Sequence, residues 1–315
     1  MLRWAIFAPL ALFAAVKQFD PAAVNQPTQE TLVFRAKGPA VVRAQILLAR
    51  AHFSCGEIDG AFGTNLQKAL NAFQEARKLP VSTGADAATW AALNADTAPA
   101  LVEYTLTEED LKGPFTPIPK RLEDQAALTS LGYTSAMEAL GEHFHTSPAL
   151  LKRLNPAANF GQVGTRILAP NVLVMPPARA DRIVVSKSES AVRAYDATGE
   201  LLAFYGATIG SRHDPLPVGE WKINGVARNP KFHYNPELFW DAKPASDKAT
   251  LQSGPNNPVG VVWIDLSKDH YGIHGTPEPG KVGHAESHGC IRLTNWDALE
   301  LAAMVKPGTP ATLKE

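Results

Sequence analysis

The chain has little cysteine: two residues in 315, too few for the disulfide framework that staples small secreted folds. It also has no excess of either charge. Thirty Lys and Arg stand against 31 Asp and Glu, no basic tract interrupts the balance, and a nucleic-acid partner, which needs a concentrated positive face, is excluded. A membrane-length apolar run is missing from the amino terminus. The apolar stretch Trp4 to Ala15, behind Arg3, falls short of the roughly 20 residues of a spanning helix. One positive residue followed by a short apolar core is the layout of a secretory signal peptide. Residues 1–20 are therefore expected to be a signal peptide or an apolar N-terminal segment, with the protein exported to the periplasm or cell envelope. A buried amino-terminal helix is the other reading of the same residues.

What is present is concentrated near the carboxyl end. Tyr271-Gly272-Ile273-His274-Gly275-Thr276 is followed by Ser287-His288-Gly289-Cys290-Ile291-Arg292, with Asn295 just beyond. Cys290 sits among His270, His274, His284 and His288. A cysteine attacks as its thiolate, so an imidazole that can accept the proton makes it a nucleophile near neutral pH. Glycine at 289 suits that role, because only a residue without Cβ permits a close backbone approach and an unusual dihedral before the nucleophile. Two other chemistries draw on the same residues. Thiolate and imidazole are both good zinc ligands, and a Cys55 to Cys290 disulfide would consume the thiol.

The paired strings resemble the catalytic motif of the L,D-transpeptidase family, the YkuD-type domain that remodels bacterial peptidoglycan. The resemblance continues through Ser211 to Ile223, with its Asp214-Pro215-Leu216-Pro217-Val218-Gly219-Glu220-Trp221 stretch, and covers residues 181–315. It implies Cys290 as nucleophile, His274 as base and the Gly275 carbonyl as the group that orients the imidazole. Oxyanion and substrate-binding roles fall to Gly289, His288, Ser287, Arg292 and Tyr271. Arg292 either pins a substrate carboxylate or braces the loop through a salt bridge, and Asn295 reads as a loop or cap residue. Trp221, Trp240 and Trp263 read as core or cleft-lining aromatics, and the proline-rich 229–258 segment as a long loop over the cleft.

The implied reaction attacks a tetrapeptide stem, releases D-alanine, leaves a thioester on Cys290 and transfers the acyl group to an amine, with no cofactor or metal. Water as acceptor gives an L,D-carboxypeptidase, or another peptidoglycan amide hydrolase on the same fold. A degenerate site leaves a non-catalytic cell-wall binding protein. The implied partners are peptidoglycan stem peptides and glycan strands, an envelope protein as acceptor, and carbapenems as inhibitors that acylate Cys290.

Upstream, the spacing predicts helices over 40–50, 64–78 and 87–93, with Gly56, Gly60 and Gly63 breaking the first two apart. Helix, Gly56-x-x-Asp59-Gly60-x-x-Gly63 turn and two further helices resemble a peptidoglycan-binding domain, placed at 38–96. A linker is expected at 97–118. Residues 119–178 then carry two short helices, at 135–144 and 148–155, before a strand at 163–174. The Phe144 to Pro156 and Gly164 to Pro170 strings resemble a LysM repeat, with a structural spacer as the alternative and residues 119–125 left to supply its first strand. The expected fold class is multidomain: an N-terminal three-helix peptidoglycan-binding-like bundle, a small α+β LysM-like module, and a C-terminal mainly-β L,D-transpeptidase sandwich.

Overall fold

A computed structural model describes residues 19–172, 177–238, 247–287 and 289–315. The amino-terminal apolar segment to residue 18, Trp240 and His288 lie outside the described residues. No described helix is long and apolar enough to cross a membrane.

The first region holds β1 (Leu32–Val33), α1 (Pro39–Arg50), β2 (Phe53–Ser54), α2 (Thr64–Ala76), β3 (Gly84–Ala85) and α3 (Ala87–Leu93). Proline in the first turn starts α1, where the missing N–H would have no partner anyway. Both faces of this helix are apolar, and both are covered. Val41, Ala44, Leu47 and Leu48 pack with Leu66, Leu70, Phe73 and Trp90, while Val42 and Ile46 pack with Leu101, Leu150, Leu154 and Val172 of the next region. Asp86 caps α3 by accepting from the Thr89 N–H at 2.8 Å, and the buried Trp90 donates its indole N–H to the Glu30 carbonyl at 2.7 Å.

In the middle region, β4 (Leu101–Thr105) precedes α4 (Leu122–Gln125), α5 (Ala136–His143), α6 (Pro148–Leu154) and β5 (Arg166–Pro170). Strands β4 and β5 pair antiparallel from Leu101 with Pro170 to Thr105 with Arg166. The expected linker at 97–118 is thus corrected, since its apolar Leu101 and half-buried Tyr104 make it half of a sheet. Residues 119–125 supply no strand, and their place is taken by α4. Ser135 and Ser147 cap α5 and α6, and Leu106, Leu140, Phe144, Leu151, Ile167 and Ala169 form the local core.

The carboxyl-terminal region holds β6 (Arg182–Ser186), β7 (Ala191–Tyr195), β8 (Leu201–Gly206), β9 (Thr208–Ile209), β10 (Gly219–Arg228), β11 (Phe232–Tyr234), β12 (Ala249–Leu251), β13 (Val262–Leu266), β14 (Gly272–His274), β15 (Ile291–Arg292), α7 (Asn295–Met304) and β16 (Pro310–Lys314). Ten strands join in the order β2-β8-β7-β6-β16-β10-β13-β14-β15-β9. The long β10 serves two partners. Its first half pairs with β16 and its second half, past a bulge between Ile223 and Gly225, with β13. A bulge bends and twists its strand, and here the sheet closes into a mostly-β sandwich over one core. That core contains Ile183, Val185, Val192, Tyr205, Ile264, Ile273 and Ile291, with Leu301 and Met304 of α7.

Two features tie the regions together. Strand β2 adds to the sheet edge, parallel to β8. The segment expected as a long cleft loop contains the β11–β12 hairpin, whose Tyr234 and Leu251 pack with Leu131 of the middle region.

Candidate active site

Strands β14 and β15 run side by side in parallel, with Ile273 opposite Ile291 and His274 opposite Arg292. Continuing that register by one residue sets Cys290 beside Gly272. The pleat turns alternate residues to one face, so Cys290 and His274 project from the same face of neighbouring strands. A chain that is broken in sequence between Thr276 and Ser287 is thereby rejoined at the site. The Leu293 N–H, which donates to the His274 carbonyl at 2.8 Å, extends the pairing past β15.

His274 is 3% exposed, with Nδ1 2.6 Å from the Gly275 carbonyl oxygen. A carbonyl only accepts, so Nδ1 carries the hydrogen and donates it. Burial, and then the neighbouring Arg292 charge, push the imidazolium down to about 3, against the opposing pull of the Gly275 hydrogen bond. The ring is therefore neutral at pH 7, with Nε2 as a bare acceptor. Trp263 stacks on it at 5.5 Å between centroids and 16° between planes, which fixes the ring plane.

Cys290 is half-buried and free, and Cys55 is buried and free. The disulfide alternative is corrected accordingly, and Cys55 directly follows β2. Burial pushes the Cys290 thiol up, while a Gly272 backbone hydrogen bond and the Arg292 charge act to lower it. The thiol donates weakly to the His270 carbonyl at 3.9 Å. Ser287 Oγ donates to the Cys290 carbonyl at 2.6 Å, and the Ser287 N–H to the Gly210 carbonyl at 3.1 Å. Ser287 thus braces the backbone turn before the thiol. Gly289 has φ +91, and a Cβ there would stand 2.8 Å from Tyr271 Cε1. The Tyr271 ring consequently lies against the residue before the nucleophile candidate. His284, by contrast, lines a separate cavity of about 70 Å³ with Glu57 and Asp59 of the first region.

Two residues around the site carry more than their sequence reading. Asn295, expected as a cap, is preceded by the true cap Thr294. Its Oδ1 accepts from the Val261 N–H at 3.2 Å and its Nδ2 donates to the Pro255 carbonyl at 3.2 Å. A Cβ on Gly275 would come within 2.1 Å of that Oδ1, and one on Gly260 within 2.0 Å. Asn295 therefore locks the backbone whose carbonyl holds His274, and the two glycines were the available signal. Asp214, whose charge bears on Cys290 and Tyr271, stood within the stretch that carries the family resemblance but was given no role of its own.

Residues 180–313 match the family profile described as "L,D-transpeptidase catalytic domain". "Putative L,D-transpeptidase YkuD" of Bacillus licheniformis is 34% identical over 179 residues, spanning 56% of this chain and 92% of that protein. This chain belongs to the YkuD L,D-transpeptidase family. Its Bacillus subtilis counterpart of the same description is 30% identical over 178 residues, 56% of this chain and 92% of its own. L,D-transpeptidase 3 of Mycobacterium tuberculosis, a solved structure, aligns over 47% of this chain and 66% of its own at 20% identity, with a TM-score of 0.36. Residues 37–93 match a profile described as "Putative peptidoglycan binding domain". The protein is an L,D-transpeptidase family enzyme that pairs its catalytic domain with a helical peptidoglycan-binding domain, an association with the cell wall.

Membership leaves the surroundings of Cys290 to be explained by this chain's own residues. Among the described residues, no group of three or more His, Cys, Asp or Glu side chains could hold a metal ion. Arg292 is the positive charge that bears on both His274 and Cys290. It disfavours imidazolium and favours thiolate, so it biases the pair towards a neutral base beside a thiol that is easier to ionise.

Proposed function

We propose that Cys290 is the nucleophile of a two-step acyl transfer and His274 its general base. The observation that carries this reading is the His274 Nδ1–H donated to the Gly275 carbonyl at 2.6 Å. That bond selects the tautomer whose Nε2 can accept a proton, the task a carboxylate performs in other triads. As Cys290 attacks the carbonyl before a terminal D-alanine, Nε2 takes the thiol proton and then delivers it to the departing amine. A thioester remains on Cys290. The incoming amine gives up its proton to the same nitrogen, a new peptide bond forms and the thiol is restored.

Backbone N–H groups at Gly289 and Cys290 serve as oxyanion donors, and one such donor is worth roughly 3 kcal/mol in comparable sites. Tyr271 and Arg292 border the substrate, and Ser287 holds the turn. Carbapenems acylate the same sulfur. The donor is a peptidoglycan stem peptide, and an amine of a second stem or of an envelope protein is the acceptor, with water as the hydrolytic alternative. Export through residues 1–20 accords with that substrate.

The helical domain, spanning 38–96, holds glycan strands near the site. A LysM-like module, redrawn to begin at Leu101, adds a second glycan contact; its support is the antiparallel β4–β5 pair flanking α5 and α6.

Mass spectrometry of a disaccharide-tetrapeptide incubated with the protein and with Cys290→Ala tests the reading. A dimer mass with loss of D-alanine, absent in the variant, supports it. Monomeric tripeptide from the parent alone identifies the hydrolytic reaction, and products that persist in Cys290→Ala refute the nucleophile.

A further inference from the structure

The backbone between Thr276 and Ser287 joins the two halves of the site, and its anchor belongs to another domain. Asn65, in the first turn of α2, is 9% exposed, and its Nδ2 donates to the Val282 carbonyl at 2.8 Å. Its Oδ1 has no hydrogen-bond partner among the described residues and lies against Gly283, where a Cβ would come within 2.4 Å of it. Gly283 has φ +77, a conformation that suits glycine. A buried acceptor left unpaired is destabilising, so stability alone does not account for asparagine here.

The other contacts of this segment lead to Cys290. The Gly283 N–H donates to Thr208 Oγ1 at 2.9 Å, and Thr208 pairs with Arg292 across β9 and β15. Five residues beyond Val282, Ser287 braces the Cys290 carbonyl at 2.6 Å. Upstream, the Glu57 carboxylate sits where a Cβ on Gly280 would be 3.2 Å from Oε2. Two side chains of the peptidoglycan-binding domain thus cover the 280–283 backbone of the catalytic domain.

We propose that Asn65 is a positioning residue for the transpeptidase site, holding the 280–283 backbone so that Ser287 and Cys290 keep their geometry. The helical domain is then a working part of the catalytic centre as well as a wall-binding module. This rests on the proposed role of Cys290.

The test uses the full chain, with Asn65→Ala, Asn65→Asp, which keeps the shape but loses the donor, and Asn65→Gln, which keeps the amide N–H. Glu75→Gln is the control, because the Glu75–Arg193 ion pair at 2.6 Å joins the same two domains away from this loop. Leaving the Val282 carbonyl unpaired is expected to lower kcat about tenfold with KM unchanged. The rate of Cys290 alkylation by iodoacetamide should change as well. Asn65→Gln should recover part of the loss, and Glu75→Gln should leave kcat as it is. Parental kcat and alkylation in Asn65→Ala would overturn the proposal, as would an equal loss in Glu75→Gln. If Asn65→Ala does not fold, Asn65→Asp decides by the same two readouts. A parent inactive on stem peptides would overturn the proposed function, while the alkylation comparison would still judge Asn65.

Discussion

The resting state of the Cys290 and His274 pair can be tested by pH alone. A thiolate–imidazolium pair would need His274 to hold a proton at neutral pH, yet burial and Arg292 push that ring down to about 3. Charging it at pH 7 would cost about 5 kcal/mol, taking roughly 1.4 kcal/mol per pH unit. Burial moves the Cys290 thiol above its ordinary 9.0, so at pH 7 about 1% or less is thiolate. The alkylation rate of Cys290 in the substrate-free protein should therefore climb about tenfold per pH unit from pH 6 to 8. The assay is the initial rate of iodoacetamide incorporation, located by peptide mass, with buried Cys55 as a slow internal reference. His274→Gln should leave this slope unchanged while abolishing transfer, because the imidazole acts only once substrate is attacked. A rate that is flat between pH 5 and 8 would refute the neutral-pair reasoning, since only a preformed thiolate reacts that way.

Arg292→Gln should slow Cys290 alkylation at pH 8 by a factor of about three to ten, because the charge that favours thiolate is lost; an unchanged rate would remove Arg292 from the electrostatics of the site. Gly289→Ala places a Cβ 2.8 Å from Tyr271 Cε1 at φ +91, and steady-state kinetics should show kcat down about a hundredfold or more. Asp297 is buried and pushed up to about 7 by burial, against a hydrogen bond from Ser54. The folded state therefore holds the extra proton between 3.8 and about 7, and the parent loses stability as pH rises through that window. Asp297→Asn should abolish this loss and melt higher than the parent above pH 7, checked by thermal midpoints from pH 5 to 8. His145 runs the other way. Buried and stacked on Trp296 at 5.0 Å, it is pushed down to about 3 by burial, so it supports stability above 6.5 that is lost as pH falls towards 3. His145→Phe should flatten the acid limb of the same melting curves.

The family was legible because its motif is local. Gly272 to Thr276 and Ser287 to Arg292 are each short enough that residue type and spacing point to a nucleophile, a base and a tight turn. Helices were legible for a related reason: Leu66, Leu70 and Phe73 repeat at the helical period, and Asp86, Ser135 and Ser147 stand where caps belong. Strand β4 was missed because its partner β5 lies more than sixty residues away, across three α-helices. Its alternation over Leu101 to Thr105 is short, and the flanking prolines read as linker. What the pairing supplied was the long-range contact, and that is the information a local pattern lacks.

The same limit explains why the union of domains was invisible. Strand β2 is two residues long, with no period to read, yet it closes an edge of the main sheet beside β8, and an uncovered edge is a template for pairing with other chains. Ser54, on that strand, donates to Asp297 of α7 at 3.0 Å, and His52, just before it, meets Glu300 at 3.1 Å. These are polar contacts made by residues that look unremarkable in sequence. A wall-binding module on a flexible tether would need none of them, and could be exchanged for another without touching catalysis. Here the helical domain supplies a sheet edge, buried partners for α7 and the hydrogen bond to Val282, so replacing it by an unrelated wall-binding module should impair folding and turnover together. A chimera that keeps the parental melting point and kcat would show that these contacts dock the domain without supporting the site.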